Sequence, residues 1–392
     1  MPVRWNYIRW IQELLDTTSE DYSDRYDAER EVLGLDIGVG ASCIYALLAC
    51  ATRPKWRMGG TDIDQHSLDF ARKNVESNGL GKRIRLNLST VDGPLVPLDA
   101  MRVGEMDFVM TNPPFYSSDE DMAASYGGKA AAPSAVCTGS ENEMICPGGD
   151  VGFVSRIVDE SLKLRERVQW YVTMLTSFSL CARSLVWLVD ADTRLRYTAM
   201  FGKMSSVHQI VARLKQEDIT NFAVTTLQPG YQTKRWAVGW SFRDYRPRND
   251  VSRHGELVHA IMPSPTAQTI ACPLLSAQQA GEKVDSSIKD LDVRWQWKSS
   301  MATGVMEAEG NVWSRAARRK KQTVRNVEME EAAAVKDRED DDQEDEKLVA
   351  LAVKITCADE KVDVRWLRGR DYVLFESFCG LLKRTMGTRG GK

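Results

Sequence analysis

Histidine is scarce in this chain, with four in 392 residues, and the eight cysteines include no Cys-x-x-Cys pair. Zinc sites need closely spaced Cys and His ligands, so the common zinc patterns are excluded and no metal is expected. The cysteines, at 43, 50, 137, 146, 181, 272, 357 and 379, make no disulfide framework, which fits a reducing compartment. No apolar run reaches the roughly 20 residues that a membrane-spanning helix requires. The most apolar stretch, 178–189, is short and carries Arg183, and the opening MPVRWNYIRW lacks a signal-peptide core. A soluble protein without membrane contacts is the expectation.

What is present is an ordinary globular balance, 43% hydrophobic and 27% charged, with tryptophan enriched at 11 residues. The length suggests two domains, or one with an appendage. A net charge of −3 conceals an asymmetry. Residues 328–346 hold eleven acidic side chains against Lys336 and Arg338, so this run contributes −9 and the remainder is +6. A basic remainder suits a polyanionic partner, although it also serves solubility.

Helical spacing of Tyr7, Ile8, Ile11, Leu14 and Leu15 predicts a helix over 6–15. A strand over 32–37 is followed by a glycine turn and a helix over 43–50. A strand over 56–63, a helix over 67–77, and strands over 83–88 and 106–110 come next. Residues 117–150 form a long Ser-, Gly-, Ala- and Pro-rich connection. Beyond it a helix is expected over 151–167, strands at 170–174 and 236–242, and a helix over 207–215. Alternating strands and helices imply a doubly wound α/β domain, 1–244, with ligands at the carboxyl ends of its strands. Residues 245–291 read as a linker. Strand-like patches at 293–297, 348–356, 362–365 and 372–374, with a helix over 375–382, make a small α+β module over 292–392. A disordered acidic segment near 322–346 is expected to interrupt it.

Glycines in Leu35-Asp36-Ile37-Gly38-Val39-Gly40-Ala41-Ser42 allow a tight turn and close approach of a ligand, a nucleotide or S-adenosylmethionine. A turn with packing glycines has the same signature. Asp62 ends the next strand, where a carboxylate can accept from ribose hydroxyls; a helix-capping carboxylate is the alternative. Asn112-Pro113-Pro114-Phe115 ends a further strand at the same rim. The Asn112 side-chain oxygen and the Pro113 carbonyl can accept both hydrogens of an exocyclic amine, leaving its lone pair aimed at a methyl sulfonium, while Phe115 stacks on the base.

These motifs, with Arg4-x-Asn6-Tyr7-Ile8-x-Trp10, Asp36 to Tyr45, Thr138-Gly139, Trp170-Tyr171 and Arg235-Trp236-Ala237, resemble the methyltransferase-like protein sixteen family and its bacterial relatives that modify ribosomal RNA. The resemblance implies a class I, Rossmann-like S-adenosylmethionine-dependent methyltransferase fold with a mostly parallel seven-stranded sheet. It implies N6 methylation of an adenine in a stem-loop RNA such as U6 snRNA, in the nucleus and/or cytoplasm. It further implies that Arg4 holds the cofactor carboxylate, Gly38 and Ser42 its amino-acid end, Asp62 its ribose and Asn112 the reacting amine, with Asp36 and Gly40 also among the cofactor-binding residues. Family members carry a basic arm ahead of the Arg-x-Asn-Tyr segment that is not seen here. Residues 175–200 have no counterpart and are expected to be an insertion. Lys203, Lys234 and Arg235 are candidate RNA phosphate contacts, a solvated turn being the other reading of the last two. The C-terminal module is similar in pattern to the family's RNA-binding unit, and a monomer or weak dimer is expected.

Two other functions fit parts of this pattern. A protein glutamine methyltransferase uses the same paired acceptors in an Asn-Pro-Pro-Tyr variant, against which Phe115 argues for a base. A catalytically weak RNA-binding protein is the other; intact Gly38, Asp62 and Asn112 argue against it.

Overall fold

The computed structural model describes residues 2–114, 146–175, 205–228, 235–255, 257–314 and 348–387. The chain divides into two compact units, the first comprising 1–19, 23–243 and 250–263, the second 20–22, 244–249 and 264–392.

The first unit opens with α1 (Pro2–Asp16), whose apolar stripe buries Tyr7, Ile8, Trp10, Ile11, Leu14 and Leu15. It continues through β1 (Val32–Ile37), α2 (Ile44–Thr52), β2 (Trp56–Asp62), α3 (Gln65–Ser77), β3 (Ile84–Leu88) and β4 (Met106–Thr111). Then come α4 (Gly149–Leu164), β5 (Val168–Leu175), α5 (Ser205–Gln216), β6 (Phe222–Leu227), β7 (Arg235–Trp240), α6 (Asn249–Ser252) and β8 (Arg253–His254). The strands form one sheet in the order β3-β2-β1-β4-β5-β7-β6-β8. Only β7 runs against its neighbours.

Residues of α1, α2 and α3 share a core with Trp56, Met58, Phe108, Met110, Trp170 and Val172. Residues of α4 and α5 share another with Leu35, Ile37, Val109, Tyr171 and Val238. Alternate side chains of β1, β4 and β5 therefore serve opposite layers, as the two-residue strand period dictates. This is the expected doubly wound sheet, whose order reverses direction between β1 and β4. Such a reversal opens a crevice at the strands' carboxyl ends.

The sheet has eight strands where seven were expected, because the two-residue β8 pairs with β6. The strand β6 itself is absent from the sequence reading: it is buried on both faces, so it shows no polar alternation.

The second unit holds β9 (Ala267–Ala271), α7 (Ala277–Lys289), β10 (Arg294–Lys298), β11 (Thr303–Ala308), β12 (Leu351–Ala358), β13 (Lys361–Arg368) and α8 (Tyr372–Thr385). Its antiparallel sheet has the order β10-β11-β12-β13-β9. Helix α7 starts with a reciprocal cap between Ser276 and Gln279 and buries Ala280, Gly281, Val284 and Ile288. Ala280, Val284 and Ile288 join Met306, Val353, Ile355, Trp366 and Phe378 in one core.

Residues 245–291 are accordingly no linker. They supply α6 and β8 to the first unit and β9 and α7 to the second. Tyr372–Leu374 is likewise the first turn of α8 and not a strand, because the Asp371 carboxylate accepts from the Val373 amide and caps the helix there. Of the expected insertion, 175–200, Leu175 instead closes β5, buried and paired with Trp236, so it belongs to the sheet; the rest of that stretch and the acidic run lie outside the described residues.

Candidate active site

Pairing register brings the two predicted motifs together. Ile37 at the end of β1 pairs with Thr111 at the end of β4, so Gly38 and Asn112 leave adjacent strands at the same level. On its other side Ile37 pairs with Thr61, the residue before Asp62. Three motifs separated by up to 74 positions thus share one rim.

The glycine turn is held from the β2 side. The Thr61 carbonyl accepts from the amides of Gly38 (2.8 Å) and Val39 (3.0 Å). Gly38 and Gly40 have φ of +75° and +58°, a region open to glycine at little steric cost. A Cβ on Gly38 would meet nothing within 4 Å, so the turn leaves space above the strand end. The residue capping α2 is Cys43, at φ 50°, and its side chain makes no capping hydrogen bond.

Asp62 is buried at 5% exposure. Its Oδ2 accepts from the Gly40 amide at 2.8 Å and its Oδ1 from the Asp64 amide at 3.0 Å. The helix cap that sequence alone left open for Asp62 belongs to Asp64, whose carboxylate accepts from the His66 and Ser67 amides. Asp62 therefore ties the glycine turn to β2. A carboxylate has about four acceptor positions, so two remain for ribose hydroxyls.

Asp36 is fully buried, and neither carboxylate oxygen has a hydrogen-bond partner. Burial, with the Asp62 charge nearby, raises its carboxyl well above the usual range. An uncompensated buried carboxylate is costly, and a cation beside it removes the cost. The ammonium of an amino-acid moiety is such a cation. The unpartnered carboxylate, the open glycine turn and Asp62 together fit S-adenosylmethionine.

Tyr7 and Tyr45 line the same region, their rings edge-on with centroids 5.7 Å apart. Burial pushes the Tyr45 phenol up to about 12, the Asp36 charge adds to the rise, and the Arg4 and Arg235 guanidiniums oppose it. Helix α1 thus brings Arg4 within electrostatic reach of Tyr45. Arg235 comes within that reach because β7 is antiparallel: its first residues lie where β5 ends, Trp236 opposite Leu175. Arg235, a candidate for RNA phosphate, and Arg4, a candidate for the cofactor, both act electrostatically on Tyr45. Sequence reasoning gave Tyr7 and Tyr45 no role, although both stand inside the motifs that carry the family resemblance.

Asn112 and Pro114 are half-buried and Pro113 is buried. Ser42 is exposed beyond the glycine turn. Phe115, Lys203 and Lys234 lie outside the described residues. Among the described residues no group of three or more His, Cys, Asp or Glu side chains is arranged to hold a metal ion.

Comparison with known proteins agrees with this chemistry. Residues 1–185 match a family described as RNA methyltransferase. The U6 small nuclear RNA (adenine-(43)-N(6))-methyltransferase of Schizosaccharomyces pombe is 31% identical over 392 residues, covering 98% of this chain and 86% of that protein. The human RNA N(6)-adenosine-methyltransferase METTL16 is 32% identical over 249 residues, covering 62% of this chain and 38% of the human protein. The solved structure of the human METTL16 catalytic domain in complex with MAT2A 3'UTR hairpin 1 superimposes with a TM-score of 0.49 at 29% identity, covering 65% of this chain and 74% of that one. With identity at this level sustained across nearly the whole length of both the fission yeast protein and this one, the chain belongs to the RNA N6-adenosine methyltransferase family.

Proposed function

We propose that the chain methylates N6 of an adenine in U6 small nuclear RNA, presented in a structured segment, and that it works in the nucleus. The observation that carries this reading is the register that sets Gly38 and Asn112 side by side at the sheet's reversal point. S-adenosylmethionine supplies the electrophilic methyl group when bound. The chain's residues orient the nucleophile. The Asn112 side-chain oxygen and the Pro113 carbonyl accept the two N6 hydrogens, turning the nitrogen lone pair out of conjugation with the ring. Two prolines hold those acceptors rigidly, since φ is locked and neither residue has an N–H. Asp36 balances the cofactor's ammonium, Arg4 its carboxylate, and Asp62 its ribose. Arg235, with Lys203 and Lys234, offers positive charge to RNA phosphates.

The test is methyl transfer from tritiated cofactor to a U6 transcript, followed by nucleoside analysis. Label in N6-methyladenosine, lost when the target adenine is replaced by guanine, is the expected outcome. Label in another nucleoside, or in a protein glutamine under matched conditions, overturns it.

A further inference from the structure

Neither Pro113 nor Pro114 can donate to a ladder, so the chain beyond Thr111 cannot be fixed by strand pairing in the usual way. Two side-chain hydroxyls reinforce the ladder at Thr111, the last paired residue of β4. Thr111 Oγ1 donates to the Ile37 carbonyl at 3.0 Å, binding the end of β4 to the end of β1. Tyr7 Oη donates to the Thr111 carbonyl, also at 3.0 Å, from 104 residues away. Tyr7 has no exposed surface, and its ring is braced by Tyr45.

We propose that Tyr7 is a positioning residue for methyl transfer: its hydroxyl fixes the carbonyl immediately before Asn112 and so sets where the Asn112 and Pro113 acceptors stand. The inference rests on the role given to Asn112 above. A buried carbonyl deprived of its donor turns toward another one, and the peptide it belongs to turns with it. The next residue is Asn112, so the displacement passes directly to the acceptors. Misplacement of a reacting group by about 1 Å can cost roughly 100-fold in rate. Tyr7 also lies one helical turn from Arg4, so α1 carries both the residue assigned to the cofactor carboxylate and the hydroxyl that holds the target end.

The experiment compares wild type, Tyr7→Phe, Thr111→Val and Thr111→Ser on the U6 transcript, with S-adenosylhomocysteine affinity by calorimetry and folding by circular dichroism. Wild-type turnover tests the proposed function separately, because its absence sinks that reading whatever the variants do. Tyr7→Phe should lower kcat roughly tenfold or more, while KM for RNA and the S-adenosylhomocysteine Kd stay within about twofold. Thr111→Val should behave alike, and Thr111→Ser, which keeps the hydroxyl, should recover most of the loss. A folded Tyr7→Phe with wild-type kcat overturns the proposal, as does a kcat loss matched by equal loss of cofactor affinity. Should Tyr7→Phe fail to fold, the Thr111 pair decides: equal kcat in the valine and serine variants overturns it.

Discussion

The proposed function gives Asp62 two duties, which a single experiment can separate. Its carboxylate accepts from the Gly40 and Asp64 amides, and it is also the acceptor assigned to the cofactor ribose. Replacing it with alanine removes charge-assisted hydrogen bonds worth about 1.5–3 kcal/mol each. Loss of the ribose contact alone thus predicts a cofactor Kd raised roughly tenfold to 150-fold, at about 1.4 kcal/mol per decade. Loss of the Gly40 tie loosens the glycine turn, which lowers thermal stability and can also weaken the ligand. The two contributions separate on an S-adenosylhomocysteine analogue that lacks both ribose hydroxyls. Against wild type that analogue should bind about as weakly as the parent compound binds Asp62→Ala. Against Asp62→Ala it should lose nothing more. Calorimetry of both ligands on both proteins closes the cycle. An equal penalty for the parent and the analogue on mutation would mean that Asp62 only splints the turn, and the ribose assignment would fall.

Three further outcomes are expected. Asn112→Ala should cut turnover by about 100-fold or more, with a much smaller change in S-adenosylhomocysteine affinity; parallel loss of both, by kinetics beside calorimetry, would make Asn112 a cofactor residue first. Asp36 has a carboxyl raised in the folded state by burial and by Asp62, so the folded protein holds its proton to higher pH than the unfolded chain does. Its contribution is then intact below the unfolded value of about 3.9 and is lost as pH rises through the folded value. Asp36→Asn should therefore melt higher than wild type at neutral pH, the difference closing toward pH 4; thermal melts showing a pH-independent difference would refute this. Gly34→Ala places a Cβ into the Phe108 ring and 2.7 Å from Met58 Sδ, so overpacking should cost about 1–3 kcal/mol. A lowered urea midpoint at unchanged slope is the signature, and an unchanged midpoint would mean that the ring yields.

How far the site was legible follows from the range of its determinants. Glycine at positive φ, consecutive prolines and a carboxylate at a strand end act on their own backbone, so Gly38, Gly40, Asp62 and Asn112 could be placed from sequence, and the registers of β1 with β2 and with β4 bring them together. The elements that escaped are those whose burial is set by distant partners. Strand β6 lacks alternation because both of its faces are covered, and β9 buries only Ile270. Tyr372-Val373-Leu374 has strand-like composition, yet the neighbouring Asp371 caps it into a helix.

The same division runs through the active site. Asp36 looks like part of the glycine motif, but its unpartnered state depends on burial produced by β1, β2 and β4 together. Arg4 and Arg235 stand more than two hundred positions apart, yet both act electrostatically on Tyr45, because α1 packs on α2 and β7 alone runs antiparallel. Motifs at the strand ends define which groups can react. The helix that precedes them in sequence determines how firmly those groups are held, and nothing in α1 announces this, because its tyrosine at position 7 has the spacing of an ordinary core residue. A hydroxyl on that core position, directed at the one carbonyl that precedes Asn112, converts a packing helix into part of the catalytic frame.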